Sequence, residues 1–201
     1  MRLYHRQEDF GLFSYSTRED DILDGHERTR SNMDYTKYIG VTQDFPKKGI
    51  SFKDISPLLR DPEAFHSCIK DLRKLAEEFK PTVLVGPESR AFLFGSALAY
   101  EMGIGFVMAR KGGKLPGVTF KTTYQLEYGT ATLEVPAASF KKGDRVLMID
   151  DLMATGGSFK ALRDLVEMAG GTVVGALSFI NLKDLHGEEK IGLPCKALVD
   201  L

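Results

Sequence analysis

"VLMIDDLMATGGSF", Val146 to Phe159, sets four apolar residues before two adjacent aspartates and then a Thr-Gly-Gly-Ser turn. A continuous apolar run of this kind is a strand buried on both faces, the pattern of a parallel sheet. In such a sheet ligands bind beyond the carboxyl ends of the strands, and "VLMI" places Asp150 and Asp151 at that edge. Neighbouring side chains on a strand point to opposite faces, so both carboxylates meet one ligand only if the strand is already bending there. Vicinal hydroxyls of a ribose are good donors to them. The turn that follows carries Ala154, Thr155, Gly156, Gly157 and Ser158. Its glycines permit positive φ and leave no Cβ in the way of a ligand. Successive N–H groups in such a turn can converge on one anion, and a helix beginning near Gly157 adds its positive end. Thr155 and Ser158 add hydroxyl donors. The two elements together describe a ribose 5-phosphate. The plainer alternative is a strand-turn-helix whose glycines serve only a tight bend. The segment lacks the Gly-x-Gly-x-x-Gly of a dinucleotide fold and the Gly-Lys-Ser/Thr of a P-loop.

Working outward, strands alternate with helices. "DPEAFHSCIKDLRKLAEEF" places Phe65, Ile69, Leu72, Leu75, Ala76 and Phe79 on one helical face, with Asp61 and Pro62 suited to the cap and first turn. "TVLVG" from Thr82 reads as a short buried strand, "AFLFGSALAYEMG" as a helix stopped at Gly103, and "GFVMAR" as the next strand. "LPGVTFKTTYQLEYGTATLEV" alternates around a polar, glycine-bearing connection and predicts an antiparallel excursion with a mobile tip. "RVLMID", "GSFKALRDLVEMAG" and "GTVVGALSFI" continue as strand, helix and strand. The expected class is α/β, a mostly parallel sheet with helices on both faces.

The 201 residues suffice for one such domain and a tail. Residues 1–32 are rich in charge and turn formers and predict a mobile or loosely docked extension, with the domain over 33–201 and Met33 as the working start. With 27 basic and 28 acidic residues the formal charge is -1, which gives no electrostatic case for a general nucleic-acid binder and leaves a local basic patch open. Cys68, on a predicted helix, and Cys195, just before a predicted terminal strand, fit no metal spacing and read as reduced core thiols. No apolar run approaches the ~18 residues that span a membrane, and the N-terminus lacks a signal core. The expectation is a soluble cytoplasmic protein.

The opening stretch resembles the phosphoribosyl pyrophosphate (PRPP) signature of the type I phosphoribosyltransferases: apolar strand, Asp-Asp, then Ala-Thr-Gly-Gly-Ser. Three further stretches resemble the adenine phosphoribosyltransferases: "DFPKKGISFKDISPLLRDPEAF" (44–65), "GPESRAFLFG" (86–95) and "ARKGGKLPGVTFKTTYQLEYGTATLEV" (109–135). Together they run from about Tyr35 to the C-terminal strand. The resemblance implies a type I fold, with a mostly parallel central sheet flanked by helices, a flexible lid hairpin and a small N-terminal hood. It implies transfer from PRPP to adenine with inversion, giving AMP and pyrophosphate, and a homodimer. Mg²⁺ is expected mainly through PRPP oxygens and water, with no dedicated protein metal site; a metal site at the aspartate pair is the open alternative.

Arg90 follows a predicted strand, and its planar fork of donors suits a pyrophosphate; the plain reading is a surface arginine opening a helix. The resemblance implies pyrophosphate contact for Arg90 and a strained or cis peptide between Glu88 and Ser89. It implies ligand contact for Lys111 and Lys114, and less for Arg110, on a turn whose plain reading is a solvated basic loop. Glu127 becomes the acid/base partner of the purine N7, with Tyr128 beside it, where the plain reading is an exposed strand-edge charge. The base pocket would be Ile50, Ser51, Phe52 and Lys53, the purine stacking on Phe52 with Leu182 as the opposite wall; core packing is the plain reading of Phe52 and Leu182. The chain departs from its relatives at Ala91, where glycine is usual, at Lys53, where many have arginine, and at Asn181, where many have glutamate. An enzyme for hypoxanthine, guanine or xanthine, and a PRPP-binding regulator without catalysis, stand as alternatives.

Overall fold

The computed structural model describes residues 33–125 and 130–201. The extension predicted over 1–32 and the tip at 126–129, with Glu127 and Tyr128, lie outside the described residues. In chain order the elements are β1 (Gly40–Gln43), β2 (Ser51–Asp54), α1 (Ser56–Arg60), α2 (Pro62–Glu77), β3 (Val83–Pro87), α3 (Ala91–Met102), β4 (Gly105–Lys111), β5 (Thr119–Gln125), β6 (Thr130–Pro136), β7 (Arg145–Met153), α4 (Gly157–Met168), β8 (Thr172–Asn181), α5 (Gly187–Ile191) and β9 (Cys195–Asp200).

Seven strands form one sheet in the order β5-β6-β4-β3-β7-β8-β9. The five from β4 to β9 run parallel, and the β5–β6 hairpin joins antiparallel at the β4 edge. This is the predicted type I fold with its antiparallel excursion. β1 and β2 pair separately as a small antiparallel hood. Alternate residues of the buried strands feed two cores. Leu84, Leu147, Ile149, Leu177 and Phe179 pack with α2 and α3 on one face. Val83, Val85, Val146, Met148 and Ala176 pack with α4 on the other. The helix start at Asp61 is as expected: its carboxylate accepts from the Ala64 N–H at 2.9 Å, satisfying an otherwise unpaired first-turn donor. Cys68 is buried, Cys195 half-buried, and both are free thiols.

Two expectations change. β9 begins at Cys195 rather than after it. β7 does not end at the aspartates; it runs on to Met153 because β8 keeps pairing with it, Leu152 with Ile180 and Met153 with Asn181. On its other side β7 is paired with β3 only from Val146 to Met148. β3 sends its connection toward β4, while β7 lies on β3's opposite side. Strand order therefore reverses at β3 and β7, and a crevice opens past Met148 where open α/β sheets bind ligands.

Candidate active site

The crevice is bounded on the β3 side by the turn Glu88-Ser89-Arg90, whose Glu88–Ser89 peptide is cis, as the resemblance implies. Opposite stand Asp150 and Asp151. A cleft of about 280 Å³ is lined by Pro87, Glu88, Ser89, Arg90, Lys111, Tyr124, Asp150, Asp151 and Ser158. Both aspartates line it although they alternate along the strand. The Asp150 carboxylate turns back to accept from the Asp151 N–H at 2.9 Å, while Asp151 Oδ2 lies 3.1 Å from Arg90 Nε. Burial, then the charge of Asp151, push the Asp150 carboxyl well above the usual carboxylate range. Burial raises Asp151 as well, with Arg90 working against it. The site thus holds two desolvated carboxylates, one of them ion-paired, in need of further donors or positive charge.

A larger cleft of about 750 Å³ adjoins it and brings together all five predicted base-pocket residues, Ile50, Ser51, Phe52, Lys53 and Leu182, with Lys48, Gly49, Arg90, Leu152, Ala154, Asp184, Leu185 and Leu201. Phe52 comes from β2 of the hood, Ile50 from the residue before it and Leu182 from the residue after β8. Phe45 meets Phe52 edge-on at 5.3 Å and fixes its ring. Lys53 Nζ donates to Ser51 Oγ at 3.1 Å. Arg90 belongs to both clefts: its Cζ lies 5.5 Å from the Phe52 ring centre while Nε faces Asp151.

The turn 154–158 joins β7 to α4 as predicted, with Gly156 at φ +74°. The positive φ expected of the turn's glycines is found at Gly156, and its lack of a Cβ has a further reason. A Cβ there would lie 2.3 Å from the Gly187 carbonyl oxygen, so the glycine makes room for α5. Ala154 lines the larger cleft and Ser158 the smaller; Thr155, Gly156 and Gly157 line neither. Ala91, the departure after Arg90, is fully buried, and a Cβ on Gly86 would lie 2.9 Å from its methyl, which therefore faces β3.

The basic turn divides. Lys111 lines the smaller cleft, whereas Lys114 lines neither. Arg110 is engaged by Glu88, which accepts from Arg110 Nε and the Lys111 N–H, each at 3.0 Å. Those bonds hold the Glu88 carboxyl below its ordinary value. The turn is anchored from beneath by Glu134 of β6, which is fully buried and accepts from the Lys114 and Leu115 N–H groups at 2.9 and 3.2 Å. Lys121 Nζ lies 3.2 Å away. Burial raises the Glu134 carboxyl, but Lys121 and the two amides outweigh it and hold it low. Glu88, Tyr124, Glu134 and Gly187 escaped the sequence reading as site residues. Glu88, Tyr124 and Glu134 lie inside the stretches that carry the resemblance, and no local pattern marks any of them as a site residue. Burial and the charge of Asp150 raise the Tyr124 phenol.

The family described as "Phosphoribosyl transferase domain" matches residues 55–197. An adenine phosphoribosyltransferase of Brevibacillus brevis is 50% identical over 168 residues, covering 83% of this chain and 99% of that one. The crystal structure of adenine phosphoribosyltransferase from Thermoanaerobacter pseudethanolicus superposes with a TM-score of 0.80 at 44% identity, covering 83% of this chain and 97% of the other. The Giardia lamblia enzyme complexed with 9-deazaadenine also gives 0.80, at 35% identity over 84% of this chain and 96% of its own.

Proposed function

The chain belongs to the phosphoribosyl transferase family, and from that premise we propose that it transfers the 5-phosphoribosyl group of PRPP to adenine, forming AMP and pyrophosphate. The observation that carries this reading is the pair of adjoining clefts meeting at Arg90. One is a cleft lined by Phe52 and Leu182, the other a polar crevice lined by Asp150, Asp151 and Lys111. We assign the activity to residues 33–201.

In this reading adenine lies between Phe52 and Leu182, with backbone groups near Ile50 and Ser51 reading its edge and Lys53 at the rim. The turn 154–158 holds the 5-phosphate and the aspartates hold the ribose hydroxyls. The bond from the anomeric carbon to pyrophosphate breaks, its electron pair leaving with the pyrophosphate. Adenine, as its N7–H tautomer, attacks through the N9 lone pair on the opposite face, and as the N9 bond forms the N7 proton passes to the Glu127 carboxylate. Asp150 and Asp151, desolvated and facing the sugar, stabilise positive charge developing at the anomeric carbon. Arg90 and Lys111 stabilise the departing pyrophosphate, and further ligand contacts are assigned to Lys114 and Tyr128. Glu127 is the acid/base partner at N7.

Among the described residues no three His, Cys, Asp or Glu side chains converge as a metal cage. Two raised carboxylates beside a pyrophosphate site nevertheless fit Mg²⁺ held chiefly by substrate oxygens and water, with Asp150 and Asp151 at its edge. Bound there, Mg²⁺ supplies charge neutralisation to the pyrophosphate. A homodimer is proposed from the apolar side chains exposed on α3 and the adjoining β4: Leu93, Met108 and Tyr100, the last 90% exposed. Among the described residues no helix is long and apolar enough to cross a membrane. The two free thiols suit a reducing compartment, and a cytoplasmic location is proposed on that ground.

PRPP-dependent turnover of adenine, hypoxanthine, guanine and xanthine tests the assignment. A 6-oxo base leaves buried polar groups unpaired at about 1–3 kcal/mol each, so adenine is expected to lead by roughly 100-fold in kcat/KM. A higher value for any 6-oxo purine overturns the choice of base. PRPP binding without turnover of any base indicates the regulator instead. Glu127→Ala is expected to lower turnover sharply while PRPP binding changes much less; unchanged turnover removes Glu127 from the mechanism.

A further inference from the structure

Behind the turn 154–158 lies a second layer that the chemistry above does not use. Gly187, the first residue of α5, is buried against the turn so closely that a Cβ on it would lie 2.2 Å from the Ala154 carbonyl oxygen and 2.9 Å from the Gly156 nitrogen. The fit is mutual, since a Cβ on Gly156 would strike Gly187. Two backbones in direct contact leave no side chain to absorb a displacement. Wherever Gly187 sits, the phosphate turn must follow.

α5 is too short to hold its own place. It is tied at its far end by Arg163 Nη1, which donates to the Ile191 carbonyl at 3.1 Å. Near Gly187 it is tied by Glu188. Asn181, the last residue of β8 and 2% exposed, donates from Nδ2 to Glu188 Oε1 at 2.5 Å and to Asp200 Oδ1 at 3.2 Å. An amide nitrogen between two carboxylates is the favourable orientation, because the oxygen would meet like partial charge. The cost is visible on the other side, where Asn181 Oδ1 is buried without a hydrogen-bond partner. Asp200 is also held by Lys183 Nζ at 2.9 Å.

We infer that Asn181 and Glu188 are positioning residues for the phosphate turn, acting through Gly187, and that their contact sets the affinity for the 5-phosphate of the substrate. This rests on the reading of 154–158 as the phosphate turn. The sheet end, which is rigid, fixes Asn181; Asn181 fixes Glu188; Glu188 fixes Gly187; and Gly187 fixes the backbone donors from Ala154 to Gly156. Of the adenine slot, Leu182 and Ala154 adjoin this chain of contacts, while Phe52 and the hood lie outside it.

The test uses the full chain, ribose 5-phosphate as probe in calorimetric titration, and steady-state kinetics with PRPP and adenine. Glu188 is exposed, so Glu188→Ala leaves the core intact. It is expected to weaken ribose 5-phosphate binding about tenfold and to raise KM for PRPP similarly, with KM for adenine and kcat changed by less than about twofold. Glu188→Gln keeps an acceptor at the same atom and is expected to restore both values to within about twofold. Gly187→Ala is expected to exceed Glu188→Ala in the same direction. Wild-type protein that does not take up ribose 5-phosphate sinks the reading of the turn itself. Wild-type binding that Glu188→Ala leaves unaltered, or equal rises in KM for PRPP and adenine, or no rescue by Glu188→Gln, overturns the positioning role alone.

Discussion

Asp150 and Asp151 are carboxylates placed where the sheet gives them little water and one another's charge. Burial, then Asp151, raise Asp150 above its unfolded value, so ionising it opposes folding. The sign follows directly: the opposition is absent below the ordinary carboxylate range, grows as pH rises through it, and levels off above the raised value. Asp150→Asn removes it. Thermal unfolding at pH 8 is expected to show Tm higher by roughly 2–4 °C, the shift that about 1 kcal/mol produces in a domain of this size. The difference should vanish below about pH 3, where the Asp150 carboxyl is protonated in the folded and the unfolded chain alike. The same variant is expected to lose at least about 100-fold in kcat/KM for PRPP, because a neutral amide cannot stabilise the oxocarbenium-like centre. Equal Tm values at pH 8 would show that the carboxylate is not strained.

The β5–β6 hairpin and the turn after β4 share one anchor. Glu134 is a charge buried in a strand, an arrangement that is stable only because Lys121, two amides and Thr119 Oγ1 all face it. Glu134→Ala is expected to lower Tm by several degrees and to raise KM for PRPP several-fold, since the Lys111–Lys114 turn loses its two backbone bonds. Circular dichroism melts and initial-rate kinetics check both parts. Because its carboxyl is held below the ordinary value, this anchor is fully present above about pH 4.5 and weakens as pH falls through the lowered value. A wild-type hairpin contribution that persists unchanged into that acid range, measured against Glu134→Ala, contradicts the assignment.

Across the whole molecule, the sheet is covered by α2 and α3 on one face and α4 on the other, yet the α3–β4 corner keeps apolar side chains in water. We propose these side chains as the seam of the dimer. Leu93→Lys with Tyr100→Lys is expected to shift sedimentation from dimer to monomer; dimers that survive both changes place the interface elsewhere. Periodicity and apolar runs are local properties of a chain, so the order of strands and helices, the Asp-Asp edge and the glycine turn could be read from residues alone. The five residues of the base slot came from resemblance, and their meeting in one cleft is a tertiary event joining the hood to the end of β8. Sequence could not tell that β7 outruns β3 beyond Met148, because the end of a strand is set by its neighbours' pairing. Nor could it tell that Arg90 serves two clefts, that Arg110 is engaged by Glu88, or that Gly156 makes room for Gly187. Each depends on distances between residues far apart in the chain, which side-chain pattern does not encode and only the packed sheet decides.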